Sequence, residues 1–215
     1  MQMNIIERTE EFVRLKLGHD TSGHDWHHVD RVRKMALYIA EKERKGDLFI
    51  IEMAALLHDI ADDKLYENPE DGYKILLDWL ESCRLNRQQM ESILSIINTI
   101  SFKGGNEAEL NHIEAQIVRD ADRLDALGAI GIARTFAYGG KKGAPLYDPS
   151  LPVRKDMTVE EYRNGKSSSI HHFYEKLLLL KDKMHTKTAK ELAQKRHHVM
   201  EDFLKQFYTE WNGSE

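Results

Sequence analysis

The stretch AALLHDIADDK, Ala54–Lys64, decides how this chain folds. Small and aliphatic residues run into a histidine, and aspartates at 59, 62 and 63 and a lysine follow, a charged finish to a core segment. Counting back, Ile50, Met53, Ala54, Leu57 and Ala61 recur at helical spacing and predict a helix with its apolar stripe turned inward. His58 falls on that stripe, and Asp59 lies about a hundred degrees around at 3.6 residues per turn. A buried imidazole beside a carboxylate requires a partner. Taken alone, the pair would read as a satisfied core histidine with an exposed aspartate, so the rest of the chain must supply the reason for more.

The remaining sequence keeps the helical period. Val29, Val32, Ala36, Ile39 and Ala40 form a second stripe, and no segment alternates with period two between hairpin turns, so the predicted class is all-α. Asn68 and Pro69 start a helix that buries Tyr73, Leu76, Leu77 and Leu80. Asn86 and Gln89 are spaced as a capping box for Met90, Ile93, Leu94 and Ile97. A further helix is expected from about Glu109 through Leu127, continuing or kinking at Gly128 and Gly131. Ile170, Phe173, Leu177, Leu178 and Met184 form one late stripe, and Leu192, Val199, Phe203, Leu204, Phe207 and Trp211 another, both assigned to packing. A long loop over about 139–157 holds three of the four prolines with Lys141, Lys142, Arg154 and Lys155. It reads either as a functional excursion or as a solvated one.

With 215 residues, 41% of them hydrophobic, no apolar run of membrane-spanning length and no composition shift marking a boundary, one domain over 1–215 is expected, with helices over about 168–211 packing on the core. The single Cys83 excludes an internal disulfide and fits a reducing compartment. The glutamates of the N-terminal segment do not suit a secretory signal, so the expected location is the cytoplasm. A formal charge of -5 argues against an extended nucleic-acid surface while leaving room for local basic pockets.

The 11 histidines carry more information. GHDWHHVDRV places His24, His27 and His28 around a helix start, and His28, four residues before Val32, points partly inward. IVRDADRLDALG supplies Asp120, Asp122 and Asp125, with Asp122 four residues after Val118. Three helices can thus project ligands toward one interior point, the way bundles build metal sites. Imidazoles and carboxylates without thiolate suit Mn, Fe, Co or Ni, and Mg or Zn less well. On spacing alone Asp120 and Asp125 compete with Asp122, and His27 with His28.

These residues resemble the signature of the HD-domain metal-dependent phosphohydrolases: a histidine, an adjacent His-Asp pair and a distant aspartate. GHDWHHVDRVRKMA, ALLHDIADDK, DADRLDALGAIGIARTFAYGG, HHFYEKLLLLKDKM and MEDFLKQFYTEW together are similar to a bacterial single-domain subgroup, and the likeness covers nearly the whole chain. It implies an all-α helical bundle with a metal site between core helices. It also implies one divalent ion, Mn²⁺ favoured and Fe²⁺, Co²⁺, Ni²⁺ or Mg²⁺ possible, held by His28, His58, Asp59 and Asp122. Similar proteins include a manganese-dependent nucleoside-triphosphate pyrophosphohydrolase.

Such an ion polarises a phosphoryl oxygen and lowers the pKa of its water, so the expected reaction is hydrolysis of a nucleoside triphosphate to monophosphate and pyrophosphate. Asp59, Asp63 and Lys64 are the candidate catalytic residues, with Asp62 competing with Asp63 as the base. Arg31, Lys64, Arg123 and His24 are the candidate phosphate contacts, although solvated helix charge is the ordinary role of such residues. The alternatives are a phosphomonoesterase on nucleoside monophosphates and a non-catalytic, metal-stabilised nucleotide sensor. A two-iron oxygenase wants further histidine ligands between the His-Asp pair and the last aspartate, and His112 is the one histidine there. The expected partner is a small phosphorylated molecule, a nucleotide, with no membrane and no extended nucleic-acid surface.

Overall fold

The computed structural model describes residues 4–18, 25–62, 66, 68–100, 109–155, 157–158, 160–161 and 165–214, among which there is no strand. The helices are α1 (Ile5–Leu17), α2 (Trp26–Glu43), α3 (Leu48–Leu57), α4 (Pro69–Ser82), α5 (Arg87–Thr99), α6 (Ile113–Asp125), α7 (Gly128–Lys142), α8 (Ser169–Glu175), a 3-10 helix (Leu177–Lys183) and α9 (Lys187–Trp211). Two compact units divide them. One takes α1–α5 and α6 as far as Ala121, and the other begins at Asp122 and takes α7, α8, the 3-10 helix and α9.

In the first unit α3 is the central rod, packed by α1, α2 and α5. Ile51, Met53, Leu56, Leu57 and Ile60 are all fully buried, and each contributes on the order of 1.5–3 kcal/mol by leaving water. The stripe predicted on α2 is buried throughout. Asp47 starts α3 by accepting hydrogen bonds from the Phe49 and Ile50 amides, and the Glu114 side chain on α6 accepts from the Asp47 amide at 3.1 Å. The capping box of Asn86 and Gln89 forms as expected. Trp79 of α4 stacks on Phe12 of α1 at 4.1 Å, and its indole N–H donates to the Thr9 hydroxyl, while Tyr73 stays 38% exposed instead of turning inward. Arg33 of α2 reaches Glu10 of α1, Asp30 of its own helix at 3.6 Å and Glu52 of α3 at 3.4 Å, so one guanidinium ties three helices.

The helix expected from about Glu109 starts later, at Ile113, and ends at Asp125. The chain then turns through Ala126 and Leu127 and re-enters a helix at Gly128, whose φ of +70° lies in the left-handed region. A side chain there would be strained and would meet the Arg196 side chain at 3.1 Å, so glycine separates α6 from α7.

In the second unit α9 packs on α7 and on the 3-10 helix. Its inward residues are Ala189, Ala193, His197, Met200 and Leu204, whereas Val199 and Trp211 are 45% and 48% exposed. The inner face of α9 is therefore offset from the larger apolar stripe, because small residues let it approach its neighbours. Several described residues after Gly143 are tied to α8 and α9. The Ser169 and Ile170 amides donate to the carbonyls of Pro145 and Leu146, each at 3.0 Å. Tyr147 is packed among His171, Phe207, Tyr208 and Trp211, and Arg154 forms a two-pronged ion pair with the buried Glu175.

Candidate metal centre

His28 occupies the third position of α2 and is fully buried. His58 is the residue on which α3 ends, and Asp59 follows it; they are 8% and 7% exposed. The helix expected to continue to Ala61 instead stops at Leu57, and tighter bonds take over, with the Ile60 amide donating to Leu57 and the Asp62 amide to Asp59. Asp59 follows His58 directly, and its two carboxylate oxygens reach both imidazoles. Here Asp59 Oδ1 lies 3.4 Å from His58 Nε2, and its Oδ2 lies 3.3 Å from His28 Nε2.

The two imidazoles face one another, Nε2 to Nε2, at 3.3 Å. His58 Nδ1 sits 2.8 Å from the Ala55 carbonyl oxygen. A carbonyl only accepts, so Nδ1 carries the proton and Nε2 presents its lone pair to the cluster. Lone pairs and a carboxylate gathered in a buried space repel unless positive charge sits among them. The ligand atoms of His28, His58 and Asp59 all lie within 4.8 Å of one another. Bonds of about 2.0–2.2 Å from one ion would set neighbouring donors roughly 3 Å apart, so the residues present fit a divalent cation. The Ala55 carbonyl is the partner that fixes the orientation of one imidazole, as metal-bound histidines require.

The other expected residues are distributed as follows. His27 is exposed, so burial selects His28 from the pair. Asp122 is half-buried on α6 and opens the second unit. Asp120 is fully buried, and Asp125 pairs with Arg134 at 2.8 Å. Arg31 is half-buried one turn beyond His28. Arg123 is buried, donates to the Lys183 carbonyl and lies 3.4 Å from His185 Nε2. His24, Asp63 and Lys64 lie outside the described residues.

Two residues that serve the site were not singled out in the sequence. Ala55 contributes through a backbone atom and carries no signal. Asp25 contributes its carboxylate to the amide of His28 at 2.9 Å, and its place three residues before a histidine at a helix start is a readable cap signal.

Comparison with known proteins agrees with this geometry. The chain matches the HD domain family over residues 25–127, the stretch that holds α2 through α6. It is 42% identical over 207 residues to the uncharacterized protein YpgQ of Bacillus subtilis, covering 95% of this chain and 93% of that one. The chain belongs to the HD-domain phosphohydrolase superfamily. An HD-superfamily hydrolase of Bacillus thuringiensis superposes with a TM-score of 0.73 at 50% identity, with 96% of both chains covered. YpgQ of Bacillus subtilis, solved in complex with ADP, superposes with a TM-score of 0.76 at 36% identity in the structural alignment, over 95% of this chain and 97% of that one. As an HD-superfamily hydrolase this chain is a metal-dependent phosphohydrolase, and among the described residues His28, His58 and Asp59 form a group able to hold a metal ion. No helix among the described residues is long and apolar enough to cross a membrane.

Proposed function

We propose that this HD-superfamily hydrolase cleaves nucleoside triphosphates to nucleoside monophosphate and pyrophosphate with Mn²⁺ as its ion. The observation that carries the reading is the buried His28, His58 and Asp59 cluster, in a chain 36% identical to a protein solved with ADP. His28, His58 and Asp59 hold the ion together with Asp122, which the HD signature supplies as its distant aspartate. When bound, the ion supplies Lewis-acid polarisation of the phosphoryl group and acidifies a water at the reacting centre.

The chain's own residues then divide the work. Asp63 accepts the proton of the attacking water, the bond from the α-phosphorus to its bridging oxygen breaks, and pyrophosphate leaves. Lys64, Arg31, Arg123 and His24 offset the charge on the phosphate oxygens. His58 turns Nε2 toward His28 and Asp59 for ligation, its Nδ1 being held against the Ala55 carbonyl. The test is a panel of NTPs, dNTPs and nucleoside monophosphates with the Mn²⁺-loaded protein, reading pyrophosphate and orthophosphate separately. Pyrophosphate from the triphosphates is the expected product. Orthophosphate alone, from the monophosphates, would make the chain a phosphomonoesterase; nucleotide binding without either product would make it a sensor.

A further inference from the structure

His28 stands in the first turn of α2, where a helix has no preceding turn to hold it and frays most readily. Asp25 and Trp26 both hold that turn. Asp25 caps the helix, its Oδ1 accepting the His28 amide at 2.9 Å and its carbonyl accepting the Val29 amide at 3.2 Å. Trp26, 8% exposed, lies under the Arg14 guanidinium of α1 at 4.3 Å from ring centre, so the residue between the cap and the ligand is anchored to a neighbouring helix.

The cap bond ends on the ligand residue itself. A cap on any other amide of the turn would stabilise the helix and leave the His28 backbone one bond removed; here the accepted N–H is the backbone amide of the residue whose imidazole meets His58 Nε2 at 3.3 Å and Asp59 Oδ2 at 3.3 Å. We infer that Asp25 is a positioning residue for the metal ligand His28, acting through its cap hydrogen bond and not through its charge. The inference rests on the metal-site reading above. The carboxylate of Asp25 is turned to the backbone through its Oδ1.

The experiment compares Asp25→Asn, which keeps the cap acceptor and loses the charge, with Asp25→Ala, which loses both. Mn²⁺ affinity is measured by calorimetry, and hydrogen exchange is followed at the His28 amide, with the amides of α3 as the check on the fold. Asp25→Ala is expected to weaken Mn²⁺ by about tenfold, the scale of losing an orienting contact in a metal site, and to speed exchange at His28. Asp25→Asn is expected to stay within about twofold of the parent protein, since Asn caps as well as Asp. Should Asp25→Ala fail to fold, Asp25→Gln, whose longer side chain is a poor cap, takes its place with the same expected loss. Parental affinity in Asp25→Ala overturns the inference, and so does equal weakening in Asp25→Ala and Asp25→Asn, which would assign the effect to charge. If the parent protein itself binds no Mn²⁺, the metal-site reading fails, whereas exchange at His28 still reports on the cap.

Discussion

Replacing Arg154 by leucine tests what holds the long segment between α7 and α8. Glu175 is a fully buried carboxylate; Arg154 donates to it from Nε at 2.8 Å, Nη2 at 2.7 Å and its backbone amide at 3.3 Å, and the Ser167 hydroxyl donates at 3.0 Å. Burial pushes the Glu175 carboxyl up, but the hydrogen bonds from Arg154 and Ser167 outweigh it, so the group titrates below the ordinary 4.5. A carboxyl lowered in the folded state contributes stability above its unfolded pKa and loses it as pH falls through the folded value. Removing one partner of a buried pair costs about 3–5 kcal/mol, and because Ser167 and the 154 amide remain as donors, the lower end, about 3 kcal/mol, is expected at pH 7. With a urea slope of about 1–3 kcal/mol per molar, the midpoint falls by about 1–3 M.

The pH dependence separates this cause from simple loss of packing. In Arg154→Leu the carboxyl loses its guanidinium and is protonated more readily, so the gap to the parent protein should be widest at neutral pH and narrow below the ordinary 4.5. The double variant Arg154→Leu/Glu175→Leu, with no charge left to bury, should recover most of the loss. Amide exchange at Ser169 and Ile170, which bond back to Pro145 and Leu146, should accelerate in the single variant. A gap below about 1 kcal/mol at pH 7, or one that stays constant down to pH 3, refutes the reasoning.

Asp59→Ala should abolish the thermal stabilisation by Mn²⁺, which at a hundredfold excess over Kd amounts to about 2.7 kcal/mol, or about 5–11 °C for a chain of this size; an undiminished rise in Tm would remove Asp59 from the ligand set. Arg33→Leu leaves Glu10, Asp30 and Glu52 facing one another without the shared guanidinium and should cost about 2 kcal/mol by chemical denaturation. Burial already holds the Glu52 carboxyl above its ordinary value, so Glu52→Gln should cost less than about 1 kcal/mol, and the reverse ranking of the two variants would contradict the cluster's account. Gly128→Ala should destabilise by about 1 kcal/mol or more, read in the same way, because its φ of +70° and the Arg196 side chain at 3.1 Å both oppose a methyl group; a neutral result would show that the turn after α6 can relax.

Much of this molecule was legible residue by residue. The α2 stripe is buried as its period demands, and the caps at Asn68 and Asn86 form, because period and capping are local properties of the chain. The ends of helices were read less well. The α3 helix stops at Leu57 and not beyond Ala61, and α6 ends before Gly128, since a change from helix to tight turn is decided by what the next residues pack against. On α9 the expected stripe holds at Leu204, Phe203 and Phe207, while Val199 and Trp211 stay exposed because close approach between helices selects Ala189 and Ala193.

The same division holds for the metal centre. By itself the sequence determined which residue types are available, that His58 belongs to a core-facing helix, and that a histidine, a His-Asp pair and a later aspartate recur in the HD order. The HD pattern favours His28 over His27, but spacing cannot bring together atoms 30 residues apart. Tertiary structure buried His28 while leaving His27 exposed, brought both carboxylate oxygens of Asp59 against the two imidazoles, and set His58 Nδ1 against the Ala55 carbonyl. Ligation depends on separations of a few tenths of an ångström and on which nitrogen carries a proton. Those are set by the packing of α2 against α3, a property that neither helix holds alone.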